Sequence, residues 1–104
     1  MIEVQIIIPL SGNDGIPFTQ AHHNTFEDFV LERFEGFSVL PGTVAGAWKK
    51  SGRTFRDTSR IYLVAMESLL DGEKLREVVK KARTHYRQEG IYFRYLTLAE
   101  TFTE

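Results

Sequence analysis

An α+β fold with the element order β-α-β-β-α-β follows from three features of this 104-residue sequence. Apolar and polar residues alternate near both ends and in the middle, the period of half-buried strands. Two intervening segments repeat their apolar residues at the spacing of an amphipathic helix. Clusters of Gly, Pro, Asn and Asp punctuate the joins. Four strands and two helices in this order predict the ferredoxin-like sandwich: an antiparallel sheet with its first and third strands central and both helices on one face.

Ile2, Val4, Ile6 and Ile8 predict a first strand whose even positions are buried, ended by Pro9. The cluster Ser11-Gly12-Asn13-Asp14-Gly15 reads as a loop able to act as a lid, and it lacks the Gly-Lys-Ser/Thr ending of a phosphate-cradling loop. Phe26, Phe29, Val30 and Phe34 recur at helical spacing, so a helix runs from about Gln20 to Phe34 and stops at Gly36. An extended stretch from Phe37 is interrupted by Pro41-Gly42 and resumes through Trp48, as in a bent strand near a sheet edge. Lys50-Ser51-Gly52-Arg53 is a hairpin turn into the third strand, where Ile61, Leu63 and Ala65 are expected to be buried with Arg60, Tyr62 and Val64 opposite. Asp71 is placed to cap a second helix whose stripe is Leu75, Val78, Val79, Ala82 and Tyr86, with Gly90 closing it. The last strand covers Ile91 to about Leu96, with Ile91, Phe93 and Tyr95 on one side and Tyr92, Arg94 and Leu96 on the other. Residues 99–104 read as a loose tail or an extra edge strand, and the whole of 1–104 as one domain.

With 42% hydrophobic and 26% charged residues, the composition is that of a folded chain with one core rather than a disordered or membrane protein. A net charge of −1 offers no global attraction to nucleic acid or anionic lipid, so neither is expected as a partner. Zero cysteines exclude disulfides, thiolate metal sites and cysteine nucleophiles. Neither a cofactor nor a metal is expected. The run from Val4 to Leu10 is too short to span a bilayer and lacks the features of a secretory signal, which points to a cytoplasmic protein.

Helices on one face leave the other face of the sheet bare. Glu3, Gln5, Ile7, Trp48, Arg60, Tyr62, Val64, Tyr92 and Arg94 are expected there, a set rich in the aromatic and cationic groups that suit contact surfaces. Such a face predicts a homodimer in which two sheets meet, or a site for a small anionic or aromatic molecule held by Arg94 or Arg60. A small cofactor-independent enzyme of the lyase, isomerase or monooxygenase type, or a pure interaction module, are the alternatives. In the enzyme reading Arg94 or Arg56 holds an anion and His85, Glu89 or Tyr62 moves the proton. His22 and His23 are adjacent on a helix and point about 100° apart, so they are read as exposed or loop-packing rather than as ligands of one ion. The second helix is basic and the first acidic, which predicts charge complementarity between them.

Arg33-Phe34, Gly36-Phe37-Ser38-Val39, Gly46-Ala47-Trp48, Arg56-Asp57, Ser59-Arg60, Tyr86 and Gln88-Glu89 occur in an order that resembles a small bacterial protein family of no established activity. That resemblance spans about Phe26 to Ile91 and implies a ferredoxin-like fold. It adds Trp48, Arg56, Gln88 and Glu89 to the candidate ligand-binding residues, beside Gln5, Arg60, Tyr62, Tyr92 and Arg94.

Overall fold

The computed structural model describes residues 1–100. Its elements are β1 (Ile2–Pro9), α1 (Gln20–Arg33), β2 (Ser38–Val39), β3 (Val44–Lys50), β4 (Arg53–Met66), α2 (Gly72–His85) and β5 (Phe93–Leu98). The strands form a five-stranded antiparallel sheet in the order β2-β4-β1-β5, with β3 also paired to β4. This is the ferredoxin-like α+β fold. The second predicted strand is split by Pro41-Gly42 into β2 and β3, and both halves pair with the 14-residue β4. The expected edge strand or tail after Ala99 falls largely on residues 101–104, outside the described residues.

Local chemistry accounts for the turns. Ser51 and Gly52 occupy the left-handed region with φ of 53° and 76°, the pair of positive angles that joins twisted strands through a two-residue loop. Thr19 caps α1 by accepting the backbone N–H of His22. Asp71 precedes α2 but makes no side-chain cap bond; its carboxylate accepts the N–H of Glu67 across a 3-10 turn spanning Leu69–Asp71.

The core lies between sheet and helices. Val4, Ile6 and Ile8 of β1 meet Phe26, Val30 and Phe34 from α1 and its C-cap, and Leu75, Val78, Ala82 and Tyr86 from α2 and its C-cap, all buried. Val79 is only partly buried against them. In β4 the expected faces are exchanged. Tyr62, Val64 and Met66 are buried in the core, while Ile61 and Leu63 are half-buried on the open face and Ala65 is exposed. Register decides this. Ile6 lies opposite Tyr62 and Val4 opposite Val64, and directly opposed residues of an antiparallel pair share a face. Arg60, opposite Ile8, is carried to the helix-covered side with them.

Charge pairing between the helices runs opposite to the expected sense. Arg33 of α1 donates to Glu77 of α2 at 3.0 Å, and its guanidinium lies 3.6 Å over the Phe29 ring. On β5 the register shifts by one residue between Val4 and Glu3, leaving Leu96 as the extra residue of a bulge.

Residues 53–58 of β4 lie before the segment paired with β1, so β3 and the start of β4 form a two-stranded ribbon. This fits the elongated shape of 50 × 29 × 26 Å. The ribbon's turn is held by Lys50 Nζ, which donates to the Glu89 carboxylate at 2.7 Å, an exposed pair worth little in stability.

Candidate functional site

The start of α1, the end of α2 and the middle of β4 converge on a polar and aromatic cluster inside the helix-covered side. Tyr62 Oη donates to Glu27 Oε2 at 2.6 Å and accepts from Arg60 Nη1 at 3.2 Å. Arg60 and Glu27 form an ion pair at 3.7 Å, with their side chains about one quarter and one fifth exposed. Burial, reinforced by the bond to Glu27, holds the Tyr62 phenol well above its ordinary range. Tyr62 is therefore a fixed donor at neutral pH and not a base.

One turn earlier on α1, His23 Nδ1 is 2.7 Å from Tyr86 Oη. Burial first, and the Arg60 charge second, lower the His23 pKa, so the imidazole is neutral in the folded protein near pH 7. Burial also pushes the Tyr86 phenol far up. Beside them His22 Nε2 donates to the carbonyl of His85 at 2.8 Å, and His85 Nε2 donates to the carbonyl of His22 at 2.7 Å. A carbonyl only accepts, so both rings carry their proton on Nε2. The two imidazoles stack at 3.7 Å, and Phe18 stacks on His22 at 4.8 Å. This clasp ties the two helix ends together. Every buried side-chain nitrogen and oxygen among the described residues has a hydrogen-bond partner. Among the same residues no group of three or more His, Asp or Glu side chains is arranged to hold a metal ion.

The sequence-predicted site residues do not form one constellation. Gln5 and Arg94 do meet on the open face, where Arg94 Nη2 donates to Gln5 Oε1 at 3.4 Å, and Gln5 is buried between Leu63 and Arg94 with 8% of its surface exposed. Tyr92 is exposed beside them, its carbonyl accepting from Ile7. Tyr62 and Arg60, expected on that face, belong to the helix-covered cluster instead, because β4 pairs with β1 in the register given above. Trp48 lies on the ribbon, stacked on Phe55 at 4.5 Å, and by the alternation of β4 it shares the side of Ile61 and Leu63. Arg56 is exposed on the ribbon opposite Ala47. Gln88 donates to the Tyr86 carbonyl after α2, and Glu89 is occupied by Lys50.

Glu27, His23 and Tyr86 are the members of the cluster that the motifs did not assemble. Helical periodicity carried a signal for two of them, since Tyr86 ends the stripe read for α2 and is buried. His23 falls in phase with Phe26 and Val30, the buried stripe of α1, so the reading of it as exposed or loop-packing is corrected.

No family model matches the sequence, and no curated protein matches it. Solved structures do. The divalent cation tolerance protein CutA1 from Thermus thermophilus superposes with a TM-score of 0.65 over 97% of this chain and 86% of its own, at 14% identity. A phage SAM lyase in complex with S-methyl-5'-thioadenosine gives 0.66 over 92% of this chain and 80% of its own, at 17% identity. CutA1 from Oryza sativa gives 0.64 over 97% and 82%, at 15% identity. At such identities the likeness defines the fold, a ferredoxin-like α+β sandwich shared by proteins of different activity. No helix among the described residues is long and apolar enough to cross a membrane.

Proposed function

We propose that this protein is a small self-associating ferredoxin-like domain whose bare sheet face and ribbon meet further copies of the chain, in the simplest case as a homodimer, and that it binds a small anionic or aromatic molecule there. One observation carries the reading. Ile7, Ile61 and Leu63 are half-buried on the open face, Tyr92 just before β5 is 60% exposed, and Trp48 on the ribbon is 47% exposed. Apolar surface of that extent on a single copy is what interfaces are made of. Arg94, exposed beside Tyr92, supplies the cation for the ligand. The order of short motifs that resembles a bacterial family of no established activity is compatible with this role and adds no chemistry to it.

Light scattering on the purified protein tests the assembly. A mass of two or more copies is expected, falling to that of one copy in Leu63→Glu, whose half-buried position lets the monomer keep its fold. A monomeric wild type overturns the proposal. For the ligand, Arg94→Met should keep the assembly and lose the thermal stabilisation that small carboxylates give the wild type; equal stabilisation in both removes Arg94 from the reading.

The phage SAM lyase favours a second reading, a cofactor-independent lyase. In it Glu27, the carboxylate bonded to Tyr62 and Arg60, takes a proton from the carbon beside the one whose C–S bond breaks, so that the thioether leaves with the bonding pair and an alkene remains. Incubation with S-adenosylmethionine, followed by chromatography for S-methyl-5'-thioadenosine, should show release that Glu27→Gln abolishes. Release no faster than in buffer discards this reading.

A further inference from the structure

We propose a second ligand site, for a planar aromatic anion, in the cleft between the loop of residues 12–17 and the end of α2. It shares no residue with the open face and stands apart from the assembly proposed above. The cleft has a volume of about 450 Å³, within the range of small-molecule pockets. The loop lines it from one side of the chain, Phe18 and His22 supply an aromatic floor at the start of α1, and Tyr86 and Arg87 line it from the end of α2.

The loop is built rather than loose. Gly12 N–H donates to Ile16, Gly15 N–H to Gly12, and the Ile16 N–H to Asp14 Oδ1 at 2.9 Å. Ser11 bridges to Pro17, Phe18 N–H returns to Leu10, and Asn13 Nδ2 donates across the cleft to the Arg87 carbonyl at 3.3 Å. A ligand therefore meets a preformed opening, which keeps the ordering cost of binding low.

The floor selects flat rings. Phe18, His22 and His85 lie in a column with interplanar angles of 11° and 10°. His22 is covered on its two faces by Phe18 and His85, so the column's open end in the cleft is Phe18. A further aromatic ring continues the stack there.

Arg87 selects charge. It follows the C-cap of α2 with φ of 53°, a left-handed position where glycine is the unstrained choice. Its backbone closes the helix by donating to the Thr84 carbonyl, and Gln88 N–H reaches the Arg83 carbonyl. Arg87 lines the cleft, is held in a backbone conformation that disfavours it and makes no ion pair among the described residues, so its guanidinium is left for a carboxylate or a similar anion at the cleft. Asp14 also lines the cleft; its Oδ1 accepts the Ile16 N–H, which turns that oxygen toward the loop's own backbone.

Arg87→Gly separates binding from folding, because it relieves the strained angle while deleting the charge. Titration of indole-3-acetate into the wild-type protein, followed by NMR, should shift the His22 ring and the amides of Asn13, Phe18 and Arg87. Arg87→Gly should melt at a higher temperature than the wild type and bind indole-3-acetate about tenfold or more weakly. Cyclohexaneacetate, of like charge without a flat ring, should bind more weakly than indole-3-acetate to the wild type. No shifts at millimolar indole-3-acetate, shifts centred on Tyr92 and Arg94, or equal affinity in Arg87→Gly would each overturn the site.

Discussion

Tyr62 shows how one side chain can be both core and site. Its ring is fully buried against Phe26 and Phe37, while its hydroxyl reaches Glu27 at 2.6 Å. The two partners of that bond are not equivalent. In Tyr62→Phe the partly exposed Glu27 turns to water and to Arg60, so the loss is about 1 kcal/mol. Glu27→Ala leaves the Tyr62 hydroxyl without its acceptor in a buried position and leaves Arg60 without its counter-charge, a cost nearer about 2–3 kcal/mol. Urea denaturation of both variants measures the order; a smaller loss in Glu27→Ala would mean that Tyr62 and Arg60 do not depend on Glu27 as their buried partner. In the sequence Glu27 stands on the polar side of α1, a side that reads as solvated until β4 brings Arg60 and Tyr62 beneath it.

At the scale of elements, α2 and the β3–β4 hairpin carry separable predictions. Val78 is fully buried and Val79 only partly so. Val78→Asp buries a carboxylate without a partner, a cost of several kcal/mol that is comparable with the whole stability of a small domain. Val79→Asp can turn its carboxylate toward solvent and should leave a cooperative, lowered melting transition. Circular dichroism distinguishes them, and equal behaviour would mean that α2 is rotated on the sheet. In the hairpin, Gly52→Ala forces a Cβ onto a φ of 76° and should lose about 1 kcal/mol, whereas Ser51→Asn suits the φ of 53° and should raise the melting temperature. The helix stripes and this turn were legible in the sequence because each depends on residues a few positions apart. The faces of β4 were not, because its alternation permits either face until pairing with β1 selects one.

For the molecule as a whole, the helix-end cluster sets the pH range of stability. Burial chiefly holds His23 and His85 below their ordinary value of 6.5, so below that pH the unfolded chain takes up protons that the native one refuses. Their contribution is complete above pH 6.5 and is lost as pH falls through the depressed native values. The phenols of Tyr62 and Tyr86 are held above their ordinary 10.0, so their contribution is complete below that pH and is lost as pH rises through the elevated native values. Melting temperatures across the pH scale should form a plateau near neutrality with both shoulders. His85→Gln should flatten the acid shoulder, and an unchanged one would locate the titration elsewhere.

What the sequence alone determined is the order of elements, the even face of β1, the stripe of α2, the split at Pro41-Gly42 and, through them, the ferredoxin-like fold. All are written in hydrophobic period and turn chemistry within a few residues. Only the tertiary structure decided that Tyr62 and Arg60 face the helices, that His23 joins Tyr86, and that Trp48 stacks on a ribbon away from Arg94. Those facts depend on the register Ile6 to Tyr62 and on the packing of α1 beside α2, contacts between residues far apart in the chain. Apolar residues on both faces of β4 satisfy the same local pattern, and the choice between them is made by what each face finds across the sheet.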